Sequence, residues 1–209
     1  INGYTLYRKD RKGRKGGGVC IYVKNNLPTV TLDLKYNCEE YETLWIRTKS
    51  RGQDYYCICL CYHPPKSVYK HMDLTVMLLD NFNDIACIYP NDVFVLTGDL
   101  NQLDYSPLEI NLGITQIVTT PTRNTSLLDV VLTNRPSAFS CCTVKSVLNT
   151  DHLSVYVNCL RKITVDLQVT SRHRVKVYNR DYCSMDKLRD YFRGYNWNAI
   201  NLSIDAGCI

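Results

Sequence analysis

Asp99, Asn101, Asp129, Asp151 and His152 follow one another at the ends of short apolar runs or inside them, and Tyr62 closes an earlier run of the same kind. Three acids, a carboxamide, an imidazole and a phenol are the inventory for metal-assisted phosphoryl transfer. Hard carboxylates hold Mg²⁺, an acid orients water, and amide or imidazole donors meet the charge that develops on phosphate oxygens. Acyl transfer has less support, because no Gly-x-Ser-x-Gly elbow occurs and no cysteine–histidine pair has an evident orienting partner.

The segments that must position these side chains read mostly as strands. Val93–Asn101 is a short apolar run that ends in Gly98, where the backbone can turn sharply. Asp99 and Asn101 then stand at the carboxyl end of a strand, the edge of an open sheet where ligands bind. An Asx-turn is the plainer reading of that stretch alone. Tyr55–Tyr62 is a strand stopped by His63-Pro64-Pro65, since proline cannot donate to a ladder. Between the two, apolar residues recur at helical spacing from Val68 to Tyr89, and Pro90 closes the segment. Ser106-Pro107 opens a short helix that Gly113 ends. Ser126–Leu132 reads as a strand with Asp129 in its middle, a costly place for a carboxylate without a partner. The polar turn Asn149–His152, between strands over Cys142–Leu148 and Ser154–Cys159, offers His152 as that partner.

At the front, strands over Tyr4–Arg8 and Val19–Lys24 form a long hairpin. Its loop gathers Arg8, Lys9, Arg11, Lys12, Arg14 and Lys15 before Gly16-Gly17-Gly18, either as phosphate contacts or as plain solvated charge. Thr29–Lys35 and Glu42–Thr48 alternate like half-buried strands. Beyond residue 160 the pattern weakens into a polar, basic stretch with one amphipathic helix over Ser184–Tyr195, so 1–160 is expected as the domain and 161–209 as a linker.

The 209 residues give room for one good-sized domain, and a net charge of +5 suits a polyanionic partner. The cysteine number, 11, is odd and contains no Cys-x-x-Cys, which points to reduced thiols in an intracellular protein without a disulfide-linked partner. Cys57, Cys59 and Cys61 share one strand face, where core packing is a better account than metal binding. No apolar run is long enough to span a membrane.

In order, Tyr62-His63-Pro64, Gly98-Asp99-Leu100-Asn101, Ser126-Leu127-Leu128-Asp129 and Thr150-Asp151-His152 resemble the motifs of the endonuclease/exonuclease/phosphatase family. More narrowly, Arg8-Lys9-Asp10-Arg11, Gly16-Gly17-Gly18-Val19, Thr120-Pro121-Thr122-Arg123 and Leu128–Asn134 resemble the apurinic-endonuclease-like domain of non-LTR retrotransposon polyproteins. The resemblance implies a four-layer α/β/β/α sandwich. It also implies that Asp99 activates water, Asn101 and His152 stabilise the transition state, Tyr62 contacts the phosphate and Asp129 orients His152. Asp151, with Asp99, would position Mg²⁺ or Mn²⁺, and the basic loop of Arg8, Arg11, Lys12, Arg14 and Lys15 would contact DNA. The family's first strand carries an asparagine and its second ends in a glutamate, the principal metal ligand. Both are expected upstream of Ile1, which makes the chain a fragment lacking the first strands of the fold. Residues 178–197 are similar to the segment that precedes the reverse transcriptase in such polyproteins. The implied function is DNA nicking in the nucleus, giving a 3′-hydroxyl primer for that reverse transcriptase. Two alternatives stand beside it: a non-catalytic remnant that binds nucleic acid, and a family phosphatase acting on inositol phosphates or lipids.

Overall fold

The computed structural model describes residues 1–13, 15–50, 54–146 and 150–160. Arg14, the 161–209 linker and its expected helix lie outside them. Ten strands and two α-helices follow in the order β1 (Tyr4–Lys9), β2 (Val19–Lys24), β3 (Thr29–Thr31), β4 (Glu42–Lys49), β5 (Tyr55–Tyr62), α1 (His71–Ile88), β6 (Val93–Asp99), α2 (Ser106–Leu112), β7 (Thr115–Gln116), β8 (Asp129–Thr133), β9 (Phe139–Val144) and β10 (Ser154–Cys159).

Six strands make one mixed sheet in the order β3-β4-β5-β6-β8-β7. Strands β5 and β6 run parallel, which requires the crossover that α1 supplies; every other pair in the sheet is antiparallel. Side chains alternate across the sheet, so Trp45, Cys57, Cys59, Cys61, Phe94, Leu96, Val130 and Leu132 all point to one face. There they meet Leu74, Leu78, Phe82 and Ile85 of α1 and Leu108 of α2 in a single core. Phe82 is the pivot, with ring contacts to Trp45 at 4.8 Å and to Phe94 at 6.1 Å. The three buried cysteines are packing residues, and burial drives the Cys61 thiol up to about 12.

The opposite face carries two separate antiparallel hairpins, β1–β2 and β9–β10. The first lies over β4 and β5, and the second reaches the sheet through Phe139, which meets the Tyr56 ring at 6.4 Å. A helical layer over one sheet, with strand pairs over its other face, agrees with an α/β sandwich. Among the described residues no helix covers the outer side of the hairpins.

Several boundaries differ from the sequence expectation. Asp129 is the first residue of β8 and not the middle of a strand, because Arg123 and Ser126 close a tight bridged turn that uses up 126–128. Strand β3 stops at Thr31, well short of Lys35, and β9 starts at Phe139 and ends at Val144, while residues 147 and 148 of the expected 142–148 strand lie outside the described residues. Gly113 ends α2 in the left-handed conformation at φ 62°, as its place in the sequence implied.

Candidate active site

The sheet register lines up the chemistry. Asp99 at the end of β6 faces Asp129 at the start of β8 as a directly opposed pair. Tyr62 stands two residues beyond the Leu60–Thr97 pair, level with Asp99, and is itself paired with Glu42 of β4. Glu42, Tyr62, Asp99 and Asp129 thus form a row across four strands on the face away from the helices. The row depends on Gly98, whose φ is +135°; a Cβ there would lie 1.9 Å from the carbonyl oxygen of Cys61. That approach lets the carboxyl ends of β5 and β6 close up.

Histidine 152 comes to this row from the turn before β10. Its Nδ1 lies 2.7 Å from Asp129 Oδ2, with both side chains about one-quarter exposed. The turn is tied down by Thr150 Oγ1, which accepts the His152 backbone N–H at 3.2 Å. On the other side of the row, Asp99 Oδ1 accepts the backbone N–H of Asn101 at 3.1 Å. Asn101, at φ 47°, donates its amide to the His63 carbonyl at 2.8 Å, while the His63 N–H donates to the Asp99 carbonyl at 2.9 Å. The loop after β6 is therefore laced to the loop after β5. Burial raises the Asp99 carboxyl above its ordinary value, the Asn101 N–H opposes that rise, and the neighbouring Asp129 charge adds to it.

Asp99, Asp129 and His152 each offer a ligand atom within 4.8 Å of the others. Mg²⁺ takes one or two carboxylates and keeps much of its water, so this donor set fits a hydrated divalent ion. Beside it, Thr97, Asp129, Thr150, His152 and Val155 line an open cleft of about 370 Å³.

Other expected site residues lie elsewhere. Asp151 does not join the cluster: its carboxylate takes the Nε and Nη2 atoms of Arg123 at 2.7 and 2.6 Å on the exposed surface, and that pairing holds its pKa below the ordinary value. Within the basic loop, Arg8 pairs with Asp10 and Lys12 with Glu39, both exposed, and Lys15 is exposed. Arg11 is different, because it turns inward onto buried Glu42.

Two residues at the site have no chemical signal in the sequence. Thr122 is fully buried; its Oγ1 accepts the N–H groups of Leu128 at 3.1 Å and Asp129 at 3.0 Å, and its carbonyl accepts Leu153 N–H at 2.7 Å. One threonine thus joins the strand of Asp129 to the turn of His152. The second is Glu42, whose role depends on a hairpin folding back over β4, a long-range event that spacing does not reveal.

No family model and no curated protein sequence matches this chain. Solved structures do. The chain is similar to the endonuclease domain of TRAS1, a telomere-specific non-LTR retrotransposon, with a TM-score of 0.59 and 12% identity over 76% of this chain and 79% of that one. It is similar to truncated TDP2 from Caenorhabditis elegans at TM-score 0.56 and 11% identity, with 73% of each chain covered. The human Nocturnin catalytic domain follows at TM-score 0.52 and 14% identity, covering 73% of this chain and 70% of that one. The layered sheet, the strand-end row and these likenesses together give the chain the α/β sandwich fold of the endonuclease/exonuclease/phosphatase type.

Proposed function

We propose that this chain is a hydrolase of phosphodiester bonds, and more narrowly the DNA-nicking domain of a non-LTR retroelement. The observation that carries the reading is the Asp129–His152 hydrogen bond of 2.7 Å, set beside Asp99 and Asn101 on strand ends of one sheet face. Asp129 accepts the Nδ1 proton of His152 and stabilises the imidazolium, whose Nε2–H donates to an oxygen of the scissile phosphate. Asp99 orients the water and accepts its proton as the oxygen attacks phosphorus. The bond to O3′ breaks, and that oxygen takes a proton from solvent to give a 3′-hydroxyl and a 5′-phosphate. Asn101 and Tyr62 border the same position. A bound Mg²⁺ or Mn²⁺ would supply charge neutralisation at the phosphate, held by Asp99 and the second oxygen of Asp129.

DNA as substrate and a reverse transcriptase domain as partner rest on the retroelement-like motifs, with the TRAS1 likeness in support; work on chromosomal DNA implies the nucleus. Among the described residues no helix is long and apolar enough to cross a membrane. A second reading, nucleic-acid binding without cleavage, is favoured by the Arg123–Asp151 pair, which occupies a carboxylate expected at the metal. Conversion of supercoiled plasmid to the open circle with Mg²⁺ separates the two. Binding without conversion supports the second reading. Phosphate release from inositol phosphates, with plasmid left intact, would replace both by a phosphatase.

A further inference from the structure

Buried ion pairs are poor stabilisers. Removing two charges from water costs several kcal/mol per ion, and apolar residues of similar volume commonly do as well. Arg11 and Glu42 nevertheless form such a pair, their side chains 19% and 6% exposed, while the other pairs of the same loop sit in solvent. Arg11 sends Nε and Nη2 to one Glu42 oxygen at 2.7 and 2.5 Å, and the Gly18 N–H donates to the other. Gly17 makes room for this: a Cβ there would fall 2.4 Å from the Arg11 Cζ. Two glycines of the loop thus seat one guanidinium.

The seat is next to the reacting row. Glu42 is the strand partner of Tyr62, and Arg11 Cζ lies 5.6 Å from the Tyr62 ring centroid. A planar guanidinium can lie against an aromatic face while its fork holds a carboxylate, whereas a lysine ammonium offers only a point charge. A pair that only fastened the hairpin to the sheet could sit anywhere along β4; this one is placed where its cation meets the one phenol of the row.

We infer that Arg11 and Glu42 are a positioning pair for Tyr62: Glu42 clamps the guanidinium, the guanidinium carries the Tyr62 ring, and the ring presents its hydroxyl to the scissile phosphate. The catalytic use of Tyr62 rests on the hydrolase reading above, whereas the mechanical coupling does not. The basic loop thereby acts on the site through Arg11, in addition to any contact its exposed lysines make with DNA.

The test has two independent readouts. The first is the ¹⁹F resonance of a 3-fluorotyrosine placed at position 62 of the full chain. It should move in Arg11→Lys and Glu42→Gln and stay in place in Lys12→Ser, which breaks the exposed pair. An unmoved resonance in Arg11→Lys overturns the inference whether or not the chain cuts DNA. The second is plasmid nicking: Arg11→Lys should lower kcat by on the order of 10- to 100-fold with little change in KM, the size expected for a misplaced contact group. In a Tyr62→Phe background the same change should cost little more, because the hydroxyl it positions is gone. Full additivity of the two losses overturns the inference and reduces Arg11–Glu42 to a hairpin staple. No nicking by the unaltered chain sinks the hydrolase reading and leaves the resonance to decide the coupling.

Discussion

Replacing Thr122 by valine isolates the knot beneath the dyad. Valine matches threonine in shape, so no cavity opens, yet the hydroxyl that accepts the Leu128 and Asp129 N–H groups at 3.1 and 3.0 Å is lost. An orphaned buried donor costs about 1–3 kcal/mol, and because Leu128 and Asp129 are only half-buried, the lower end applies, giving about 2–3 kcal/mol for the two. That is a sizeable share of the ~5–15 kcal/mol that holds a domain together. For a unit of this size it corresponds to a fall in Tm of roughly 5–10 °C. Urea unfolding followed through the buried Trp45, which is 2% exposed, measures it directly. Thr122→Ser keeps the acceptor and loses one methyl, so it should cost about 1 kcal/mol. If the valine variant is as stable as the unaltered chain, or less affected than the serine variant, the hydroxyl is not holding this turn.

Asp129→Asn and His152→Ala should each cost several orders of magnitude in plasmid nicking and combine far from additively; near-normal nicking by His152→Ala would remove the dyad from the mechanism. Changing Lys12 and Lys15 to serine should flatten the salt dependence of DNA binding by about one counterion per lost phosphate contact, and an unchanged slope would return them to plain solvated charge. Asp99 carries a pH signature. Its folded pKa lies above the ordinary 3.8, so the native state binds more protons than the unfolded one and stability falls as pH rises through that window. In EDTA, Asp99→Asn should therefore raise the urea midpoint at pH 7, with the gain vanishing below pH 3.8, where both states hold the proton. A destabilised Asn variant at pH 7 would contradict the burial account.

What the sequence made legible was local or repeated. Alternation over Tyr55–Tyr62 and the apolar run into Gly98 located β5 and β6 and put Tyr62 and Asp99 at strand ends; that the two strands run parallel and so bring these residues level is seen only in the sheet. The pairing of Asp129 with His152 followed from a carboxylate in need of a donor and a donor one turn away from the next strand. Side-chain partners across long separations were not legible. Arg11 looked like one cation in a solvated run, and only the hairpin's return over β4, 31 residues away, gives it Glu42. Asp151 looked like a metal ligand until Arg123, 28 residues earlier, reached it from the neighbouring turn. The boundary of β8 was missed for a related reason: a threonine hydroxyl in place of strand partners satisfies the backbone at 128 and 129.

The two hairpins have a further consequence for solution behaviour. An antiparallel sheet with one wet side shows polar residues there. On β1–β2, however, Tyr4, Leu6 and Tyr22 share the outer side at 38%, 40% and 44% exposure. On β9–β10, Val144 and Tyr156 do the same at 46% and 58%. Every strand of a two-stranded sheet is also an edge, with a row of backbone donors and acceptors facing outward. Greasy outer faces joined to open edges are the surface from which chains stack and add strands to one another. These faces favour association between copies, and adding charge at Tyr22 or Tyr156 should lower that tendency without touching the reacting row.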